Sequence, residues 1–96
     1  MFPSQLENVI GKVDIVQSVC VVPKKHKERK VVPVAYVTLK DKSFSSEKAK
    51  EILYNYCKEH ISEYAQPYEF IIKKDLPLTS VGKIDFMELE IEANKG

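Results

Sequence analysis

Two runs rich in β-branched residues, set on either side of a short charged stretch, constrain this chain more than any other feature. Ile15 to Val22 contains Ile15, Val16, Val19, Val21 and Val22, and Val31 to Leu39 reads VVPVAYVTL. Branching at Cβ restricts χ1 and suits a pleated, half-buried surface, so each run is expected to be a strand. Between them lies Pro23-Lys24-Lys25-His26-Lys27-Glu28-Arg29-Lys30, a charged connection. The two strands are expected to pair across it as an antiparallel hairpin. Pro33 cannot donate a ladder hydrogen bond, which places it at a sheet edge or a bulge.

Helical signals flank this hairpin. Ser4 and Glu7 stand in capping-box relation, and Leu6, Val9, Ile10 and Val13 follow at i, i+3, i+4 and i+7, with Gly11 as a stop. Ser45 or Ser46 can cap a longer helix, with Glu47 near its positive end. Ala49, Ile52, Leu53, Tyr56, Cys57 and His60 recur along that helix, which is expected to end between Ile61 and Ala65, before Pro67. Tyr68 to Ile72 reads as a short strand and Lys73 to Lys83 as a loop. Asp85 to Glu92 reads as a last short helix, with Glu88, Glu90 and Glu92 on its solvated face and Asn94 to Gly96 frayed. The order αββαβα predicts an α+β fold: a small, mostly antiparallel sheet of about three strands covered by helices, in a single domain over 1–96.

The chemistry is bounded by what is missing. The three glycines stand at 11, 82 and 96, too far apart for a phosphate-cradling glycine loop. Cys20 and Cys57 lack C-x-x-C spacing and have no histidine pair to complete a zinc set, so no metal site is expected. They read as buried, reduced thiols of a cytoplasmic protein. His26, among lysines, reads as a turn residue and His60 as a helix-border residue. A net charge of +1 argues against bulk affinity for nucleic acid. No apolar run approaches the ~20 residues of a membrane span, and no export signal follows Met1.

The informative stretch is Pro77-Leu78-Thr79-Ser80-Val81-Gly82-Lys83-Ile84-Asp85. Pro77 stiffens its approach, Gly82 permits a backbone conformation closed to other residues, and Lys83 follows at the tip. This stretch resembles the final core motif of the adenylate-forming superfamily, P-L-T-x-x-G-K-I/V-D. That superfamily includes acyl-CoA synthetases, nonribosomal peptide adenylation domains and firefly luciferase. Phe2-Pro3-Ser4-Gln5-Leu6-Glu7-Asn8-Val9-Ile10 resembles the segment that follows the interdomain hinge in that family. Val31 to Lys40 resembles its V-P-x-A-F-V-V-L-K strand. The likeness spans essentially the whole chain and points to the small C-terminal domain of such an enzyme.

The resemblance implies an enzyme part, inactive alone, within a ligase that activates a carboxylic acid with ATP and passes the acyl group to a thiol. Lys83 matches the lysine that contacts the acyl carboxylate and α-phosphate during adenylation. Thr79, Ser80 and Gly82 would shape its loop. ATP and magnesium would be bound mainly by a large N-terminal domain, and neither they nor the acceptor's CoA or phosphopantetheine would bind tightly to this chain alone. The acceptor would be CoA or the phosphopantetheine of an acyl or peptidyl carrier protein. Phe86 stands where many members have Arg, which resembles the acyl-CoA ligase branch more than the peptide-synthetase branch, and fatty acid metabolism is the setting the resemblance implies. The hairpin is more basic than the family's usual acidic, Gly-containing turn, and Lys24, Lys25 and Lys27 are its candidate contacts to CoA or a carrier protein. The competing reading is a free-standing, non-catalytic module that binds CoA or an acidic carrier protein through that hairpin.

Overall fold

The structure, a computed structural model, describes residues 3–28, 30–41, 43–61 and 67–95. Its elements are α1 (Pro3–Ile10), β1 (Val16–His26), β2 (Lys30–Leu39), α2 (Ser46–His60), β3 (Glu69–Lys73) and α3 (Phe86–Ala93). The order matches the expected αββαβα, and the fold is α+β. Strand order is β1-β2-β3. The sheet is mixed. The longer pairing, β1 with β2, is antiparallel, and β3 runs parallel to β2 after the crossover through α2.

The charged connection is mostly strand rather than loop. Register runs unbroken from Ser18↔Thr38 to His26↔Lys30, so Pro23, Lys24, Lys25 and His26 all lie within β1. Pro33 corrects its expected placement in an instructive way. It sits in the central strand, opposite Pro23. Neither proline can donate, so the pair falls where ladder bonds point outward from both strands. On the β2 side, pairing with β3 begins only at Val34↔Glu69. No strand donor is needed at Pro33, and its carbonyl accepts from Tyr68 N at 2.8 Å.

Alternation sends side chains to both sides of the sheet. Val21, Ala35, Val37, Leu39 and Phe70 face α1 and α2, where Leu6, Ile10, Ala49, Leu53 and Cys57 complete the larger core. Cys20, Val22, Val34 and Tyr36 face the other way, under Leu76, Leu89 and Ala93. Ser45 caps α2 by accepting from Lys48 N at 3.2 Å, and α2 ends at Ile61, whose N–H reaches Cys57 O at 2.8 Å. The Ser4 side chain, and with it half of the expected capping box, lies outside the described residues, as do Met1, Phe2, residues 62–66 and Gly96. Glu7 reaches across to the sheet, where its Oε2 accepts from Val21 N at 2.8 Å.

The chain end is pinned at Asn94 rather than frayed. Asn94 Oδ1 accepts from Lys25 N at 2.7 Å, and its Nδ2 donates to Pro23 O at 3.1 Å and to Glu90 O at 2.8 Å. One side-chain amide thus pairs with the open edge of β1 as a strand neighbour would. Together with Glu7 at Val21, it covers an edge that would otherwise offer free backbone groups to another chain.

Candidate functional site

The loop before α3 is built as a small hairpin. Leu78 bridges Ile84, and Asp85 N donates to Pro77 O at 2.8 Å. Thr79 N donates to Lys83 O at 2.7 Å and Gly82 N to Thr79 O at 3.0 Å, closing a turn over Thr79–Gly82. Gly82 has φ +83°. A turn followed by a left-handed residue is a common way to close a tight hairpin, and glycine takes that conformation without steric cost. A Cβ at Gly82 would meet nothing within 4 Å, so backbone angle rather than room demands glycine there.

Lys83 follows this glycine with both backbone polar groups held by Thr79. Its C=O accepts from Thr79 N, and its N–H donates to Thr79 Oγ1 at 3.3 Å. Its side chain is exposed and makes no ion pair among the described residues. Ser80 stands exposed at the turn's tip. Beneath the loop, Leu76 and Ile84 pack into the smaller core, and Asp85 caps α3 by accepting from Glu88 N at 3.1 Å. The base is anchored, the backbone at the tip is fixed, and one ammonium is left free. Such an arrangement can present a positive charge to a developing negative one.

Lys24, Lys25 and Lys27 lie elsewhere. They belong to the far end of the β1–β2 hairpin, which Asn94 ties to the C-terminus of α3, whereas Lys83 precedes its N-terminus. An eight-residue helix, about 12 Å long, separates the two groups. The structure does not bring them into one site.

Of the three glutamates expected on a solvated face, Glu92 has a specific partner. Its Oε1 accepts from Lys73 Nζ at 2.6 Å, and that hydrogen bond holds the carboxyl below its ordinary range. Lys73 Nζ also lies 5.5 Å from the centre of the Tyr36 ring. The buried Tyr36 hydroxyl has no hydrogen-bond partner among the described residues, and burial raises it well above an ordinary phenol. Sequence offered no signal for this trio, because only β2–β3 pairing and the return of α3 bring it together.

Cys20 and Cys57 are both buried, and no disulfide links them. Burial pushes Cys57 up to about 11, and burial followed by the neighbouring Glu7 charge pushes Cys20 to about 11. Neither is an activated nucleophile. His26 ends β1, its Nδ1 accepts from Glu28 N, and its ring meets Tyr68 edge-on at 5.4 Å. His60 stacks on Tyr56 at 4.0 Å at the end of α2. Among the described residues no group of three or more His, Cys, Asp or Glu side chains could hold a metal, and no helix is long and apolar enough to cross a membrane.

Comparison with known proteins identifies the architecture. A D-alanine–D-alanyl carrier protein ligase from Listeria monocytogenes is 33% identical over 94% of the chain, and one from Streptococcus agalactiae is 37% identical over 95%. The chain spans about 18% of the first relative's length and 19% of the second's. Among solved structures, a benzoate CoA ligase from Burkholderia xenovorans superposes with a TM-score of 0.78 at 30% identity, covering 92% of this chain and 18% of that one. An anthranilate CoA ligase in complex with anthranoyl-AMP gives a TM-score of 0.85 at 26% identity, covering 96% and 18%. With carrier protein ligases and CoA ligases both represented, the expectation of CoA and fatty acid metabolism is narrower than these relatives support. A family model for the AMP-binding enzyme C-terminal domain matches residues 5–83, ending on the exposed lysine. The chain belongs to the family of AMP-binding enzyme C-terminal domains.

Proposed function

We propose that this chain is the mobile small domain of an AMP-forming ligase. The whole enzyme joins a carboxylic acid to AMP at the expense of ATP, then transfers the acyl group to the thiol of CoA or of a carrier protein. The observation that carries this reading is Lys83, left unpaired at the tip of a loop whose backbone Thr79 and Gly82 fix. Adenylation brings a carboxylate against the α-phosphate, so negative charge crowds the transition state. An ammonium carried there by a loop of fixed backbone offsets it, and loss of such a stabiliser costs ~10²–10³-fold in rate, or roughly 3–4 kcal/mol.

ATP and magnesium fall mainly to the large N-terminal domain, since this chain offers no phosphate cradle. The two half-reactions need different groups near the acyl phosphate. Rotation of the small domain between them withdraws Lys83 and lets this domain form part of the thiolation site. The exposed apolar residues support a partner at this end of the molecule. Leu78, Val81, Met87 and Ile91 are 61%, 77%, 71% and 64% exposed on the loop and α3. A helix apolar on two faces, with one covered by its own domain, suits contact with a second domain.

Pyrophosphate exchange and thioester formation, measured separately in the enzyme with its large domain, test the role of Lys83. Lys83→Ala is expected to lower exchange ~10²–10³-fold and to leave transfer from supplied acyl-AMP nearly intact. Equal loss in both half-reactions refutes the role. The 96-residue chain alone is expected to give no exchange. Robust exchange by it refutes the domain assignment, and tight binding of CoA by the isolated chain favours a non-catalytic module instead.

A further inference from the structure

The β1–β2 hairpin is longer than the sheet needs. β3 pairs only with Val34–Thr38, so the segment from Pro23 through the turn to Pro33 forms a two-stranded arm beyond it. From Pro23 to His26 this arm extends roughly 10 Å, with the turn beyond. It concentrates charge. Residues 24–30 carry five cations and one anion, in a chain of net charge +1. Lys24, Lys25, Lys27 and Lys30 make no ion pair among the described residues.

Two further features are costly for a plain turn. Lys30 holds φ +67°, a left-handed conformation that costs a side-chain-bearing residue about 1–2 kcal/mol and that glycine adopts freely. The pairing of Lys30 with His26 across the turn holds it there, as strained backbone persists where neighbouring structure fixes it. Val31 on the arm is 57% exposed and Tyr68 beside it 45%, with Tyr68 fixed by its bond to Pro33 O and its contact with His26. Cations around an apolar, partly rigid centre match the make-up of a protein interface.

We infer that this basic arm docks an acidic protein surface, and that the partner is the carrier protein bearing the acceptor thiol. The inference rests on the functional reading above only in naming which acidic protein docks. Lys24 and Lys25 are consecutive strand residues and point to opposite faces, and Lys27 lies beyond them in the turn. Charges spread in this way suit an extended acidic surface, whereas a phosphate group needs donors that converge. Steering by such a field speeds encounter and makes affinity fall with salt.

The test measures binding of the 96-residue chain to a phosphopantetheine-bearing carrier protein of net negative charge, by calorimetry at low and high salt. Lys24→Glu/Lys25→Glu/Lys27→Glu is expected to weaken affinity at least ~10-fold and to flatten its salt dependence. Lys25→Gln/Lys27→Gln, at two exposed positions, should weaken it several-fold with an unchanged circular dichroism spectrum, which keeps the test sound if the triple variant unfolds. Lys83→Ala should bind as the parent does. The inference is overturned if the parent fails to bind the carrier protein, or if the folded charge variants bind it equally well. It is also overturned if CoA alone binds the parent as tightly and is lost in the same variants, since the arm then reads phosphate. Pyrophosphate exchange needs no carrier protein, so the adenylation role of Lys83 stands or falls separately.

Discussion

The two faces of the sheet are covered to very different depths. On one, α1 and the 15-residue α2 enclose a core from Leu6 through Phe70. On the other, the eight-residue α3 and the turn before it cover only Cys20, Val22, Val34, Tyr36 and a few partners. The deep face holds the domain together. The shallow face carries Lys83, the exposed apolar residues and the Lys73–Glu92 pair. On the proposed reading, a small domain that works against a larger one needs both: one side that holds its own core and one that is complete only in company.

Truncations in the two cores should give unequal losses. Phe70→Ala on the deep face removes a fully buried ring in edge contact with Tyr54, at a cost of roughly 3–5 kcal/mol. In a domain of this size that is a large share of the total stability. Leu89→Ala on the shallow face should cost about 2–3 kcal/mol, near the low end for such substitutions, because the thinner layer can settle into the space. Urea denaturation measures both. Equal losses would mean that the shallow face is as structural as the deep one.

The deep face was the legible one. Its strands announced themselves by β-branching and α2 by the spacing of Ala49, Leu53 and Cys57, signals that local sequence carries directly. The motif loop was legible too, because a turn glycine beside Lys83 needs only its neighbours. What stayed hidden depends on distant partners. Local sequence puts Pro33 at an edge or a bulge because a single strand does not reveal where its neighbour β3 stops. Asn94 looked frayed because its partners, Pro23 and Lys25, lie about 70 residues away in the chain. The charged hairpin looked like a loop because lysines hide pairing that the backbone alone makes.

Each face also holds one thiol, which gives a chemical readout. Cys57 lies on the inward face of α2 and Cys20 beneath α3, and both are raised from 9.0 to about 11. In the unfolded chain both thiols ionise near 9, whereas the folded chain keeps them protonated until about 11. Stability from this source is therefore complete below pH 9 and is lost as pH rises toward 11. Native-state alkylation at pH 8 should modify Cys20 before Cys57, because the thinner layer opens more readily. The reverse order would break the comparison.

Asn94 joins the shallow face to the edge of the sheet. Asn94→Ala removes three hydrogen bonds, leaving Lys25 N and Pro23 O to water, for a loss of about 1–2 kcal/mol. Glu92→Gln should cost less than ~1 kcal/mol at neutral pH, because Glu92 is nearly half exposed and water screens its pair with Lys73. The sign with pH follows from the lowered carboxyl. The parent's advantage is present above the ordinary carboxylate range and disappears as pH falls through the folded-state value. A difference that persisted in strong acid would mean that Glu92 acts by packing and not by charge.

The smallest expected effect tests the comparison most sharply. Met87 and Ile91 are 71% and 64% exposed on α3, while Leu89 and Ala93 are buried on the same helix. Met87→Gln/Ile91→Gln places unbranched side chains of good helix propensity at both positions and removes only outward-facing apolar surface. The folded 96-residue chain should lose no more than ~0.5 kcal/mol by urea denaturation, the usual range for surface substitutions. A loss of ~2 kcal/mol would show that these residues belong to the shallow core after all. An unchanged midpoint would show that α3 holds its place through Leu89, Ala93, Asp85 and Asn94 alone. Its second apolar face then adds nothing to the stability of this domain, and the reason for its apolarity lies outside it.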